Sequence, residues 1–397
     1  MKIKFKNSTL LFLHRIFNGI ASSAIDLFIP LIILTKTNNL KFAFLFTGVQ
    51  ALVALLGFLF GRKIIRKYPI VFVIISLIPA IVSYFILNLE LSLFIIILLG
   101  VLGGLSSVFY YGAINLIFAV MDEKTDSAKF DAGSNLGKIF FTVLSAYLLG
   151  SVKNSLIFVV IFASVITILS AMPLLVNYKQ LKNILGTIPK NNQVAVIKDT
   201  KWFNFYHLTM GIFSFFADTF LPLYLAINGL SFSAVGIFMA AGQVLRIAGS
   251  YVAKFMQSKK WNIFWTVCCS VLFLSAGFVI MLSRNNVVIY IMNLIITFSF
   301  ASIHTLLFNW FCKNQKRNSF VYDSMYYRDV FQNAGRIVAS GLICLVFTSA
   351  FWIGIGTSAL NGVFGSLAVR KCEKEEVLTS PKNIEEHKLE DNTNISS

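Results

Sequence analysis

Twelve stretches of roughly twenty or more apolar residues, joined mostly by short loops, constrain this chain more than any other feature. They fall at roughly 9–35, 41–61, 69–88, 92–120, 127–150, 154–177, 203–228, 232–257, 262–283, 287–311, 319–347 and 350–369. A helix needs ~20 such residues to cross ~30 Å of hydrocarbon. In lipid every backbone polar group must be satisfied within the spanning structure. The expected fold class is therefore all-α polytopic membrane protein with twelve transmembrane helices. Charged residues make up only 13% of the chain, against ~25% in soluble domains.

The net charge of +17 raises the question of nucleic acid, but its placement answers otherwise. Basic residues collect in alternate loops: Arg62, Lys63, Arg66 and Lys67; Lys124 and Lys129; Lys179, Lys182, Lys190 and Lys198; Lys254, Lys259 and Lys260; Lys313, Lys316 and Arg317. The intervening loops hold little more than Lys36, Lys41, Lys153 and Arg284. This positive-inside asymmetry predicts a multi-pass protein of the cell (inner or plasma) membrane with both termini cytoplasmic, and no nucleic-acid partner. His14 and Arg15 interrupt the first apolar run, which continues past Pro30, so it reads as an uncleaved first helix and not a signal peptide. The five cysteines show no C-x-x-C spacing and act as small hydrophobes.

The chain repeats itself. Gly19-Ile20-Ala21-Ser22 leads to Asp26-Leu27-Phe28-Ile29-Pro30-Leu31, and Gly211-Ile212-Phe213-Ser214 leads to Asp218-Thr219-Phe220-Leu221-Pro222-Leu223. A second pair reads D-x-x-x-N-x-G-[KR]-I: Asp131, Asn135, Gly137 and Lys138 in one copy, Asp329, Asn333, Gly335 and Arg336 in the other. Asn115 and Asn309 add a weaker third match. The expected organisation is a six-helix bundle over 1–177, a cytoplasmic linker over 178–202, a second six-helix bundle over 203–370 and a disordered acidic tail over 371–397. The halves are parallel repeats related by an axis along the membrane normal.

Ionisable side chains inside such spans are costly and mark function by default. Asp26 and Asp218 each stand four residues before a proline, whose missing N–H frees the aspartate's backbone carbonyl and favours a kink. Their functional reading is proton coupling or recognition of a cationic group; the alternative is a fixed ion pair. Asp131, Asn135 and Lys138 are spaced i, i+4, i+7 and share one helical face, as do Asp329, Asn333 and Arg336. Such faces must line a cavity or another helix, and Lys138 and Arg336 suit an anionic group. The alternative pairs Lys138 with Asp131 or Asp26, and Arg336 with Asp329 or Asp218. Gln243 and Arg246 share a face of helix 8, with Gln50 a possible mirror in helix 2; Arg246 anchors substrate or meets an acid across the interface between halves. His304 and Tyr111 are further cavity candidates, whereas His14 and Arg15 read as surface anchors near the cytoplasmic mouth.

Twelve helices, two six-helix halves and a basic loop after helix 2 resemble the major facilitator superfamily. Gly57 and the cluster Arg62, Lys63 and Arg66 match its loop signature, but Gly61 and Ile64 stand where that signature has an acid and a second glycine. The resemblance implies a secondary active transporter working by alternating access, with Arg62, Lys63 and Arg66 as a gating loop. Proton-coupled export of a small organic solute is the favoured expectation. Uptake or exchange of an anionic metabolite is the alternative, as is a non-pumping transporter-like protein that handles lipid or signal. The implied partners are a small-molecule substrate, a coupling ion (H+) and membrane lipid, with the chain acting as a monomer. No phosphate-binding loop, metal-ligand cluster or nucleophile–base pair stands in the sequence, so neither an enzyme nor a cofactor is expected.

Overall fold

The computed structural model describes residues 7–120, 127–152, 155–176, 178–179, 201–259, 261–283, 285–317, 321–345 and 350–378. Among these, every regular element is helical. The first part of the chain forms α1 (Asn7–Ala24), α2 (Ile29–Thr37), α3 (Leu40–Lys67), α4 (Pro69–Ile75), α5 (Leu77–Ile86), α6 (Leu93–Val120), α7 (Ser127–Ser151) and α8 (Ser155–Val176). The second forms α9 (Lys201–Phe215), α10 (Leu221–Ile227), α11 (Phe232–Ser258), α12 (Asn262–Leu282), α13 (Asn286–Arg317), α14 (Val321–Leu345) and α15 (Ala350–Leu378).

Three spans are each built from two helices: α1 with α2, α4 with α5, and α9 with α10. With these joined, ten helices among the described residues are long and apolar enough to cross a membrane. The helices outside that set are α7 and α14, of 25 residues each, or ~37 Å at 1.5 Å per residue. They have the length but not the apolarity, because they carry the two polar stripes. Counting them, the order of the described helices is consistent with the twelve expected spans, and an even number of crossings puts Asn7 and Leu378 on one face of the molecule.

Each interruption has a chemical cause. Pro30 cannot donate to the Asp26 carbonyl, and the chain passes through a 3-10 turn, Asp26–Phe28, after Ile25 leaves the helical region at φ −140° and ψ −43°. Pro222 does the same to Asp218, where the backbone widens into a π turn, Phe216–Phe220. Pro79 lies one turn beyond the break at Ser76, whose carbonyl accepts a hydrogen bond from the Ser106 hydroxyl at 3.1 Å.

The duplicated motifs interlock. A Cβ at Gly19 would overlap the backbone carbonyl of Ser134, and one at Gly211 that of Gln332. In return, a Cβ at Gly137 would overlap the Ile16 carbonyl, and one at Gly335 the Leu208 carbonyl. The motif glycines thus let α1 press against α7, and α9 against α14, backbone to backbone. Because both pairs use the same positions of the repeat, Asp26 and Lys138 share one neighbourhood, and Asp218 and Arg336 its counterpart.

The first and second parts of the chain meet at both ends of the molecule. On the face opposite the termini the contact is close to the backbone: a Cβ at Gly48 would sit 3.5 Å from Ser340 Cβ, and one at Gly150 2.9 Å from Phe232 Cβ. On the termini-bearing face long side chains close the gap. Phe118 stacks on Phe308 with centroids 5.7 Å apart, Phe58 tilts against Tyr326 at 6.2 Å, and Arg62 Nη1 donates to the Tyr327 hydroxyl at 3.4 Å. The linker expected at 178–202 lies almost wholly outside the described residues. The expected tail differs at its start: α15 continues to Leu378, through Glu373, Lys374, Glu375 and Glu376, which are good helix formers despite their charge. Residues 379–397 lie outside the described residues.

Candidate functional site

Between the two parts lies a cavity of about 270 Å³. Asp26, Gln50, Tyr111 and Lys138 line it from the first part of the chain; Asp218, Asn333 and Arg336 line it from the second. Seven polar side chains singled out in the sequence therefore converge on one space. The broken helices explain the two acids. Where the backbone leaves α geometry, Asp26 and Asp218 turn into the cavity, and both are exposed to it although the residues before them, Ile25 and Ala217, are buried.

The two acids, alike in sequence, differ in their partners. Arg246 Nη2 donates to Asp218 Oδ1 at 2.5 Å, so Asp218 is held in an ion pair. That acid belongs to Arg246's own half of the chain, which corrects the expectation of a partner across the interface. Asp26 faces the Tyr84 hydroxyl and lies within electrostatic reach of Lys138, but no described cation stands within ion-pair distance of it. Gln50 sits one helix position or so from the register of Gln243, and near that register the first half carries Val53 and Ala54, with no cation to match Arg246.

The cations are placed differently again. Arg336 Nε donates to Ser214 Oγ at 3.1 Å, and that hydroxyl donates to the Gly211 carbonyl at 3.0 Å. Lys138 makes no side-chain hydrogen bond or ion pair among the described residues, while lying within electrostatic reach of Arg246, Arg15, Asp218 and Asp26. Of the fixed pairings weighed from sequence, none is formed as a direct salt bridge. Asp329 is taken instead by its neighbour Arg328, whose Nε and Nη2 donate to Oδ1 at 2.9 and 2.6 Å.

A second cavity, of about 230 Å³, lies toward the termini-bearing face and is lined by Arg15, Asn115, Asp131, His304, Arg328 and Asp329, among others. Tyr111, Asn333 and Arg336 line both cavities and so mark their boundary. Asn115 Nδ2 donates to Asp329 Oδ2 at 3.4 Å across the halves, and His304 stands edge-on to His207 at 6.3 Å. His14 and Arg15 are not surface anchors. His14 is fully buried with Nδ1 2.6 Å from the Ser170 carbonyl, and Arg15 Nη1 donates to the Tyr110 hydroxyl at 3.2 Å. The close packing of α1 on α7 and α8 encloses this stretch, and protein groups replace water as partners.

Three candidates line neither cavity: Asn135 and Gln243 are buried in helix packing, and Arg246 stands behind Asp218, its ion-pair partner. The basic cluster expected as a gating loop forms instead the last turns of α3: there Arg62 crosses to the other half, Lys63 is exposed and Arg66 is half-buried. Sequence reasoning missed Arg328, and it missed a set of hydroxyls on the main cavity wall, including Ser22, Ser83, Tyr84, Ser106 and Thr167. Arg328 had a signal, a second cation beside Asp329. The hydroxyls had none, since serine and threonine are common in apolar helices.

The sequence matches the family model of the Major Facilitator Superfamily over residues 11–340. No curated protein matches significantly. Among solved structures, the fold is similar to a bacterial homologue of the iron transporter ferroportin in its outward-facing state (TM-score 0.69, 13% identity, 92% of this chain and 100% of that one). It is also similar to a peptide transporter, POT, in complex with sulfate (TM-score 0.70, 12% identity, 93% and 95%). A third likeness is to a bacterial metal transporter (TM-score 0.60, 11% identity, 92% and 98%).

Proposed function

Since this chain belongs to the Major Facilitator Superfamily, we propose that it is a proton-coupled secondary transporter that exports a small hydrophilic organic solute by alternating access. The observation that carries this reading is the asymmetry of the two acids. Asp218 is committed to Arg246, whereas Asp26 presents a carboxylate to the cavity without a direct cationic partner. A carboxylate so placed binds either a proton or a cationic group of the solute, but not both together. Mutually exclusive occupancy of one site is the simplest basis for exchange, because each ligand lowers the affinity for the other. Protons entering then drive solute out.

The iron and metal of two structural neighbours are not carried over. Among the described residues no group of three or more His, Cys, Asp or Glu side chains is placed to hold a metal ion, and the cavity wall adds two cations, Lys138 and Arg336. Those cations favour a second reading, uptake or exchange of an anionic metabolite, in which they bind the solute and Asp26 is a bystander.

Everted vesicles with an acid interior separate the two. Export in exchange for protons predicts that a transported solute, found by screening, dissipates the acid, and that Asp26→Asn abolishes this while protein remains in the membrane. Undiminished dissipation in Asp26→Asn would overturn the proton role. Anion transport instead predicts loss of flux in Arg336→Ala with Asp26→Asn unaffected.

A further inference from the structure

We infer that the solute is a small zwitterion, carrying an ammonium group and a carboxylate on one compact skeleton. This inference rests on the transport reading above and names its substrate class. Few charges face the main cavity, and they do not balance. Asp218 is answered by Arg246 and leaves the account. What faces the space is one carboxylate, Asp26, and two cations, Lys138 and Arg336, neither in a salt bridge among the described residues. A purely cationic solute would satisfy Asp26 and add its charge to two cations already present. A purely anionic solute would satisfy the cations and repel Asp26. A zwitterion answers both at once: its ammonium meets Asp26, and its carboxylate, with two oxygens, accepts from Lys138 and Arg336.

Size and lining point the same way. A cavity of about 270 Å³ lies just below the ~300–1,000 Å³ of pockets for drug-sized ligands, which suits an amino acid or a short peptide and excludes a polycyclic drug. Such pockets are usually lined mainly by apolar and aromatic groups. This one adds to its apolar wall many hydroxyls, among them Ser22, Ser106, Ser107, Ser214 and Thr47, which suit a strongly hydrated solute shedding water. The charges also divide between the halves. Asp26 and Lys138 belong to the first, Arg336 to the second, so a bound zwitterion bridges the two.

The test uses the full-length protein purified in lipid nanodiscs, with three matched probes built on each of a panel of α-amino acids and dipeptides. The parent is zwitterionic, its methyl ester carries only the ammonium, and its N-acetyl form carries only the carboxylate. We expect at least one parent to bind at least about tenfold more tightly than both of its derivatives, as loss of a charge-assisted contact implies. Lys138→Gln and Arg336→Gln then weaken that parent by a similar factor and leave its ester unchanged. Asp26→Asn weakens the parent and leaves the N-acetyl form unchanged. Lys138→Arg and Arg336→Lys retain binding, which separates lost charge from lost fold. The inference is overturned if no zwitterion of the panel binds, or if a singly charged derivative binds as tightly as every parent. Should a singly charged solute move with Asp26-dependent proton exchange, the transport reading survives and this one fails. Should a zwitterion bind with this pattern while no proton moves, the reverse holds.

Discussion

At the scale of single residues, two aspartates that a sequence reader must treat alike are separated by one arginine. Asp218→Asn would leave Arg246 half-buried and unpaired. The pair is only partly buried, with side-chain exposures of 25% and 41%, so the cost lies well below that of a fully buried pair and nearer about 1 kcal/mol. The expected outcome is a lower unfolding temperature in detergent for Asp218→Asn, restored in the double variant Asp218→Asn with Arg246→Gln, where charge and partner leave together. Equal loss in both would mean that the carboxylate itself matters. The aspartates were legible in the sequence because a carboxylate in an apolar run stands out. Their partners were not, because Arg246 lies on another helix and its approach to Asp218 depends on how α9, α10 and α11 pack. Arg328 was hidden differently: it stands next to Asp329 in the chain, a signal overlooked, and takes the carboxylate that Arg336 was expected to share.

At the scale of elements, the repeat supplies two things: glycines that bring helices together and prolines that break them. The glycines predict a graded response. Gly19→Val and Gly211→Val each drive a side chain into a backbone carbonyl, where neither helix can yield cheaply, and overpacking costs typically ~1–3 kcal/mol. Gly341→Ala and Gly356→Ala meet nothing within 4 Å and should be neutral or slightly stabilising, since alanine favours helix by ~1 kcal/mol over glycine. Yield of folded protein in the membrane reads the difference. Pro30→Ala restores a donor to the Asp26 carbonyl and removes the reason for the 3-10 turn. The expected result is a well-expressed protein that has lost Asp26-dependent proton exchange in vesicles, because a continuous helix turns that carboxylate away from the cavity. The i, i+4, i+7 stripes of α7 and α14 were readable from spacing alone. That Gly19 meets Ser134, and Gly211 meets Gln332, was not, because the motifs lie far apart in the chain and only packing brings them together.

At the scale of the whole molecule, the two faces are closed by different means, and that difference makes a prediction about the transport cycle. The face opposite the termini is shut by close approach of backbones, with Gly48 on α3 against Ser340 on α14. The termini-bearing face is shut by side chains that span a gap: the Phe118–Phe308 stack, the Arg62–Tyr327 hydrogen bond and the Asn115–Asp329 contact. Beneath those side chains lies the second cavity, whereas nothing comparable separates Gly48 from Ser340. A small rotation of side chains opens the termini-bearing face; parting Gly48 from Ser340 requires whole helices to move. If solute passes by alternating access, Gly48 and Ser340 must separate once in every cycle. Cysteines at these positions would place Cβ atoms about 3.5 Å apart, within the ~3.5–4.5 Å that a disulfide accepts. The double variant Gly48→Cys with Ser340→Cys should therefore oxidise readily, lose solute-driven proton exchange when oxidised, and recover it in reductant. The oxidised protein should still bind solute in detergent, since the cavity that holds Asp26, Lys138 and Arg336 is already formed in the closed arrangement. Full flux through the oxidised protein would show that this face never opens, and the exit route would then have to be sought elsewhere than between α3 and α14.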